Sequence, residues 1–178
     1  MDVEISTPRL LLRQQREADI PAIIAGLNDW EVVRWLTVVP YPYTRADAHE
    51  WIGRQKPAVP GEAHFAIDLP GHGMIGVVTL DDQLGYWLDR SQHDRGYMTE
   101  ACAALLEWHF TSRSDDVVPS GYHEGNAASA AVQHKLGFVE TGVREMRFVR
   151  SQQREVMHID TTLTRAQFET SPARQGRM

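Results

Sequence analysis

Apolar positions along this chain recur with two different periods, and the changes of period divide it into elements. Arg9-Leu-Leu-Leu-Arg13 is a short apolar run held between charges and predicts a first strand. From Arg16 to Asn28, Ile20, Ile23, Ile24 and Leu27 fall near helical spacing, and Pro21 sits early enough to be tolerated in a first turn. Trp30 to Leu36 predicts a short second helix, and Pro40-Tyr-Pro-Tyr43 breaks the chain into a loop. Thr44 caps a third helix running to about Gln55. The period then shortens. His64–Leu69 and Met74–Leu80, joined through Pro70-Gly-His-Gly73, predict a hairpin. After Asp81-Asp82, the almost wholly apolar Leu84–Leu88 is the pattern of a strand covered on both faces. Tyr97–Phe110 is a helix, Val117–His123 a strand, and Ala127–Leu136 a helix stopped by Gly137. Phe138–Val149 and Val156–Thr164 are the last two strands, joined around Ser151-Gln-Gln, and Ser171–Met178 has the pattern of a frayed tail. This order predicts an α+β fold: one mixed, mostly antiparallel sheet of about seven strands, flanked by four to five helices.

Composition narrows the classes. The 178 residues fit one domain, expected over 1–170 with a tail over 171–178. Apolar residues at 42% and charged residues at 24% are ordinary for a globular chain. No apolar run approaches the ~20 residues of a membrane span, and the opening Met1-Asp-Val-Glu4 lacks a basic secretory start, so a cytoplasmic location is expected. The net charge of −6 argues against a nucleic-acid partner and suits a cationic one. Cys102 is the one cysteine and sits in an apolar stretch, which predicts a buried structural thiol. His49-Glu50 and His123-Glu124 lack the second histidine of a zinc-protease helix, so no metal is expected.

The most informative stretch is Leu84-Gly-Tyr-Trp-Leu-Asp-Arg-Ser-Gln-His-Asp-Arg-Gly-Tyr-Met-Thr-Glu100. A buried strand leads through a polar turn containing Gly96 straight into a helix. Such a junction leaves the first helical N–H groups pointing outward, where they can cradle a phosphate. Hydrogen bonds to a charged oxygen contribute ~1.5–3 kcal/mol each, so several amides hold a diphosphate without a lysine. Many such junctions bind nothing, and the geometry alone leaves both readings open.

Three blocks carry a resemblance. The turn Asp94-Arg-Gly-Tyr-Met-Thr-Glu-Ala101, the pair Asn126-Ala-Ala-Ser129 with His134-Lys-Leu-Gly-Phe138, and the opening Thr7-Pro-Arg-Leu-Leu-Leu-Arg13 occur in order and span nearly the whole chain. Together they resemble the GNAT superfamily of N-acetyltransferases, in particular its RimJ/RimL-like branch. Asp94 stands where that branch usually has glycine, and Met98 where it has alanine or glycine. The resemblance implies acetyl-coenzyme A as co-substrate, held by Trp87, Leu88, His93, Asp94, Arg95, Gly96, Tyr97, Met98, Thr99, Asn126, Ser129 and Lys135. It implies a primary-amine acceptor (a protein N-terminal α-amine or a small-molecule amine) and direct attack in a ternary complex. The strand Tyr86–Leu88 would splay from Gly121-Tyr122, and the Leu88 N–H would polarise the thioester carbonyl, stabilising the oxyanion of attack.

The acid and base are less clearly marked. Some relatives carry a tyrosine acid two residues before the lysine of Lys-Leu-Gly-Phe, and here that position is Gln133. Ser129 is then the acid candidate, with the light task of meeting a thiolate whose conjugate acid has a pKa near ~8.5. Ser129→Ala is expected to lower turnover only modestly. Glu155, His158 and Asp160 are the base candidates, with alternation placing His158 and Asp160 on one face, and His158 is preferred. Each has a structural alternative, as does Glu100, which organises its helix. Weak base machinery matches an α-amine, about 10% unprotonated at pH 7, better than lysine at about 0.04%. The Pro40–Tyr43 loop is either a wall of the acceptor pocket or a rigid connection. Arg144, Arg147, Arg150 and Arg154 are either a phosphate-facing stripe or a solvated hairpin edge. A non-catalytic acyl-coenzyme-A sensor and an interaction domain without nucleotide are the competing classes, and both a monomer and a homodimer are compatible with the sequence.

Overall fold

The computed structural model describes residues 3–114 and 116–175. Residues 1 and 2, Asp115, and residues 176–178 of the expected tail lie outside the described residues. Two antiparallel sheets form the frame. The first has the order β1-β2-β3-β4-β5, with β1 at Ile5–Ser6, β2 at Leu11–Gln14, β3 at Ala63–Leu69, β4 at Gly73–Leu80 and β5 at Leu84–Leu88. The second has the order β6-β8-β7, with β6 at Val117–His123, β7 at Val139–Val149 and β8 at Arg154–Thr164. The α+β class follows the sequence reading, whereas the single mixed sheet does not form. Among the described residues no ladder joins β5 to β6. The two strands touch at one end, where Ser120 Oγ donates to the Leu84 carbonyl at 2.9 Å, and they separate toward Leu88 and His123.

Seven α-helices flank the sheets among the described residues: α1 Ile20–Leu27, α2 Trp30–Val33, α3 Arg45–Gly53, α4 Tyr97–Ser112, α5 Ala127–Leu136, α6 Arg165–Glu169 and α7 Pro172–Gln175. The expected helix at Arg16 begins with a 3-10 turn at Glu17–Asp19, and Pro21 occupies the first turn of α1. Thr44 and Asp47 form a reciprocal capping box on α3, satisfying two otherwise orphaned N–H groups. The stretch from Ser171, expected to fray, instead turns into α7: Ser171 is buried, and α7 packs on α4 and α5.

Packing makes two layers around the frame. One core joins α4 and α5 to the inward face of both sheets, through Leu10, Leu12, Phe65, Val78, Leu84, Leu88, Leu105, Leu136 and Leu163. The other lies across the first sheet, where Ile20, Ile23 and Leu27 of α1 meet Ala66, Met74 and Val77. Arg13 is 5% exposed within this frame and bonds Asp19 at 2.8 and 2.9 Å and Asp68 at 2.6 Å. A buried guanidinium needs both carboxylates to offset its desolvation. Burial opposes the charge on Asp19, yet the bonds from Arg13 hold that carboxyl below its ordinary pKa.

Candidate active site

From β5 the chain passes through a 3-10 turn at Arg90–Gln92 into α4. Asp94 (φ 61) and Gly96 (φ 77) both adopt the left-handed conformation. Glycine takes it freely, and aspartate is among the few side chains that tolerate it, so the departure at Asp94 preserves the backbone path. Asp94 itself points to solvent. Gly96 offers no capping side chain, and the first helical bond is Glu100 N–H to the Gly96 carbonyl at 3.1 Å. Among the described residues no acceptor takes the N–H groups of Tyr97, Met98 and Thr99. Their helix-start position leaves them with the arrangement of a candidate anion cradle. The Met98 side chain turns away from this cradle into the core, its sulfur 3.6 Å from Cys102 Sγ. Beside the cradle a cleft of about 340 Å³ is lined by Pro8, Gly96, Thr99, Glu100, Ala103, Lys135 and Ala173, so Gly96, Thr99 and Lys135 converge as expected.

The opening block of the sequence closes this site from outside. Glu100 accepts bonds from Thr7 Oγ1 at 2.6 Å, Arg9 N–H at 3.0 Å and Arg9 Nε at 2.6 Å. Arg9 also donates to the Arg95 carbonyl at 2.9 Å and lies over the Tyr97 ring at 4.5 Å. Burial raises the Glu100 pKa, but the Thr7 and Arg9 bonds outweigh it, and the net direction is downward. Glu100 thus organises the start of its helix by gripping a distant segment. Arg9 is a cation beside the cradle that motif reading missed, although it sits in a quoted block.

At the end of β5 the ladder fixes which groups face outward. Asp89 N–H bonds the Ile75 carbonyl at 2.8 Å, and the β4–β5 register pairs Val77 with Trp87 and Gly76 with Leu88. Hydrogen-bonded pairs alternate along an antiparallel ladder, so Trp87 shares the parity of Asp89 and bonds toward β4. The main-chain groups of Tyr86 and Leu88 face away, toward the gap with β6. The Leu88 carbonyl is taken by His93 Nε2 at 2.9 Å, leaving the Leu88 N–H directed into the gap. His93 therefore braces the strand end. Trp87 is oriented differently: its backbone faces β4, and its indole packs where a Cβ on Gly26 of α1 would overlap it. Neither group faces the gap.

Across the gap Asn126 caps α5, its Oδ1 accepting Ser129 N–H at 3.2 Å. Ser129 Oγ lies 2.8 Å from the Tyr86 hydroxyl. Burial, first among its causes, pushes the Tyr86 phenol well above its ordinary pKa, so it stays protonated. Either hydroxyl can donate in this pair, and the Tyr86 hydroxyl also reaches the Ser129 carbonyl at 3.3 Å; when Tyr86 donates to Oγ, Ser129 keeps its own O–H free. Gln133, at the acid position of some relatives, is a buried tie: it bonds Ser120 Oγ at 3.1 Å, the Gly121 carbonyl at 2.8 Å and Thr161 at 2.6 Å.

The expected base takes a different form. His158 and Asp160 do share a face, with Nδ1 2.8 Å from Asp160 Oδ1, while His158 Nε2 lies 3.3 Å from Arg147 NH1. A guanidinium only donates, so Nε2 is the acceptor and Nδ1 carries the proton. His158 is locked neutral with its lone pair engaged, and burial followed by the Arg147 charge lowers its pKa. It also projects from the face of β8 opposite Thr161, and hence opposite α5. Ser129 and His158 thus belong to different sides of the sheet. Facing His158 is a residue that sequence reading left unassigned, His123, whose ring is 5.2 Å away and whose Nε2 is 3.0 Å from Thr37 Oγ1. Burial, then His158, holds His123 down to about 4. Only the β6–β8 register, pairing His123 with His158, reveals this cluster.

A family profile described as the acetyltransferase (GNAT) domain matches residues 9–139. The chain belongs to this family. It is accordingly an N-acetyltransferase by family. It is 29% identical over 147 residues to "Putative ribosomal N-acetyltransferase YdaF" of Bacillus subtilis (strain 168), covering 76% of this chain and 79% of that one. The fold is shared with Mycobacterium smegmatis RimJ, solved in complex with CoA-disulfide, at TM-score 0.78 and 21% identity over 96% of this chain and 91% of that one. It is also shared with spermidine N-acetyltransferase from Vibrio cholerae, solved with CoA and spermine, at TM-score 0.74 and 16% identity over 91% and 99%. Among the described residues no helix is long and apolar enough to cross a membrane, and no group of three His, Cys, Asp or Glu side chains is arranged so that it could hold a metal ion.

Proposed function

We propose that this single-domain enzyme transfers the acetyl group of acetyl-coenzyme A to an unprotonated α-amine, of a protein N-terminus or a small molecule, within a ternary complex. One observation supports the reading above the others: the N–H groups of Tyr97, Met98 and Thr99 at the uncapped start of α4 have no acceptor among the described residues, one 3-10 turn after a strand whose Leu88 N–H faces away from β4. The residues fit the coenzyme's chemistry. The amides of Tyr97, Met98 and Thr99 match a diphosphate, with Arg9 and Lys135 as flanking cations. The outer edge of β5, with the Tyr86 and Leu88 main-chain groups, matches the amides of a pantetheine arm, and Asn126 and Ser129 lie across from it. The coenzyme supplies an activated thioester.

The chain's own residues then divide the work. The Leu88 N–H donates to the carbonyl oxygen as the amine attacks, a fixed donor aimed at developing charge. The Ser129 O–H, backed by Tyr86, donates to the departing sulfur. The His123–His158–Asp160 cluster lies on the α1–α3 side, so the acceptor approaches from there and the coenzyme from the α4–α5 side. With His158 engaged and His123 near 4, neither imidazole is a strong base. Moving a proton to a group near pKa 4 from an α-ammonium near 8 costs about 5 kcal/mol, and from a lysine ammonium near 10.4 about 9 kcal/mol. This arrangement suits an acceptor that arrives neutral.

The test is release of free thiol from acetyl-coenzyme A with a panel of amines. Peptides bearing a free α-amine are expected to accelerate release, with kcat/KM rising toward pH 8 and no limb near pH 6–7. Faster reaction of Nα-blocked lysine peptides than of α-amines would overturn the acceptor assignment. Binding of coenzyme A with no amine-stimulated release would favour a sensor.

A further inference from the structure

The eleven-residue strand β7 pairs with β8 on one side, and among the described residues nothing pairs with its other edge. Val143, Met146 and Phe148 are each about half exposed there. An unprotected strand edge is a template for another strand, and natural sheets usually blunt it or cover it. Here the irregularity between Glu140 and Arg144, at Gly142 (φ 86), ends the regular ladder on one side, and the turn beyond Val149 ends it on the other. The regular edge Val143–Val149 is centred on Met146.

We propose that this edge pairs antiparallel with the same edge of a second copy of the chain, about a two-fold axis at Met146. The sequence Val-Arg-Glu-Met-Arg-Phe-Val is complementary to itself in that register. Met146 meets the partner's Met146, and Val143 meets the partner's Val149. Arg144 lies against the partner's Phe148, with its stem and guanidinium over the ring. Glu145 faces the partner's Arg147, and Arg147 faces the partner's Glu145, as opposite charges paired across strands. Moving the axis by one residue either way would set Glu145 against Glu145 or Arg147 against Arg147. The charges thus select one register, and a two-fold contact of this kind closes on itself.

The pairing reaches the candidate active site. Arg147 holds Asp160 at 3.0 Å and contacts His158, and within its own chain it is already bonded to Glu145. Across the axis the partner's Glu145 gives the same guanidinium a third carboxylate, closing a ring of four charges that fixes the guanidinium donating toward His158.

Cysteine cross-linking tests this directly, because the native thiol, Cys102, is buried. Light scattering on the unmodified chain should give twice the monomer mass. Met146→Cys should form a disulfide-linked dimer under mild oxidation. Val143→Cys should not, since the two positions lie roughly 20 Å apart in this register. Met146→Asp should give the monomer mass with an unchanged circular-dichroism spectrum. A monomeric wild-type chain would overturn the proposal. So would equal cross-linking at the two cysteine positions, or a dimer that survives Met146→Asp.

Discussion

The two sides of the β5–β6 gap are built from different materials. On the α4 side the site is main chain: the amides at the start of α4, the outer edge of β5 and two left-handed residues that shape the turn. On the α1–α3 side it is side chains from separate elements: His123 of β6, His158 and Asp160 of β8, Arg147 of β7 and Thr37 between α2 and α3. A backbone site is specified by a few residues close in sequence, and here Asp94 keeps the left-handed turn while the Met98 side chain packs into the core. A side-chain site depends on strand register across the whole second sheet.

Substitutions sharpen this contrast, beginning with the largest effect. Arg13→Ala leaves the buried Asp19 with only the Arg16 N–H and the partly buried Asp68 without its cation, and a loss of about 3–5 kcal/mol is expected in urea unfolding. Activity per folded molecule should be retained, because the coenzyme side does not use this pair. Gly121→Ala strikes the other side. A Cβ there would overlap His158 Cε1 and lie 2.6 Å from the Ile159 carbonyl. About 1–3 kcal/mol should be lost, together with turnover even in the folded fraction, while coenzyme affinity stays nearly constant. Gly96→Ala is the converse. A left-handed alanine costs about 1–2 kcal/mol, and calorimetry should find coenzyme A bound about tenfold more weakly with acceptor preference unchanged. If Gly121→Ala weakened coenzyme binding as much as Gly96→Ala does, the division between the two sides would fail.

Glu100→Gln should have the smallest effect at neutral pH, about 1 kcal/mol. Its signature is in acid. Because the native Glu100 pKa is depressed, its contribution is present above the ordinary carboxylate range near 4 and is lost as pH falls through the native value. The variant's acid-unfolding curve should be flatter there. The histidines act in the opposite chemical sense with the same slope: His123 titrates near 6.5 when unfolded and near 4 when folded, so stability falls as pH drops from about 6.5 toward 4.

This division also explains what was legible beforehand. The helix cap at Thr44, the hairpin at Pro70–Gly73 and the turn at Gly96 are local, and their residues state them in sequence. The positions of Ser129 beside Tyr86 and of Lys135 on the cleft lie within a motif of matching spacing. The orientation of Trp87, with its backbone toward β4 and its ring against Gly26, was not legible because it depends on a register that no local pattern fixes. His123 went unassigned because its partners are 35 and 86 positions away, at His158 and Thr37. The single sheet failed for a related reason: periodicity locates strands but is silent on which neighbours bond. Ser171 was read as tail because short polar segments carry no sign of the surface that will bury them.

The grip of Glu100 on Thr7 and Arg9 also bears on how the molecule is assembled. The clasped residues are 93 positions apart for Thr7 and 91 for Arg9, so closing that loop is among the longer-range events in folding and carries a corresponding entropy cost. During synthesis the strap emerges from the ribosome well before the helix it fastens. The start of α4 is therefore a late product of maturation, braced only after most of the chain has been made.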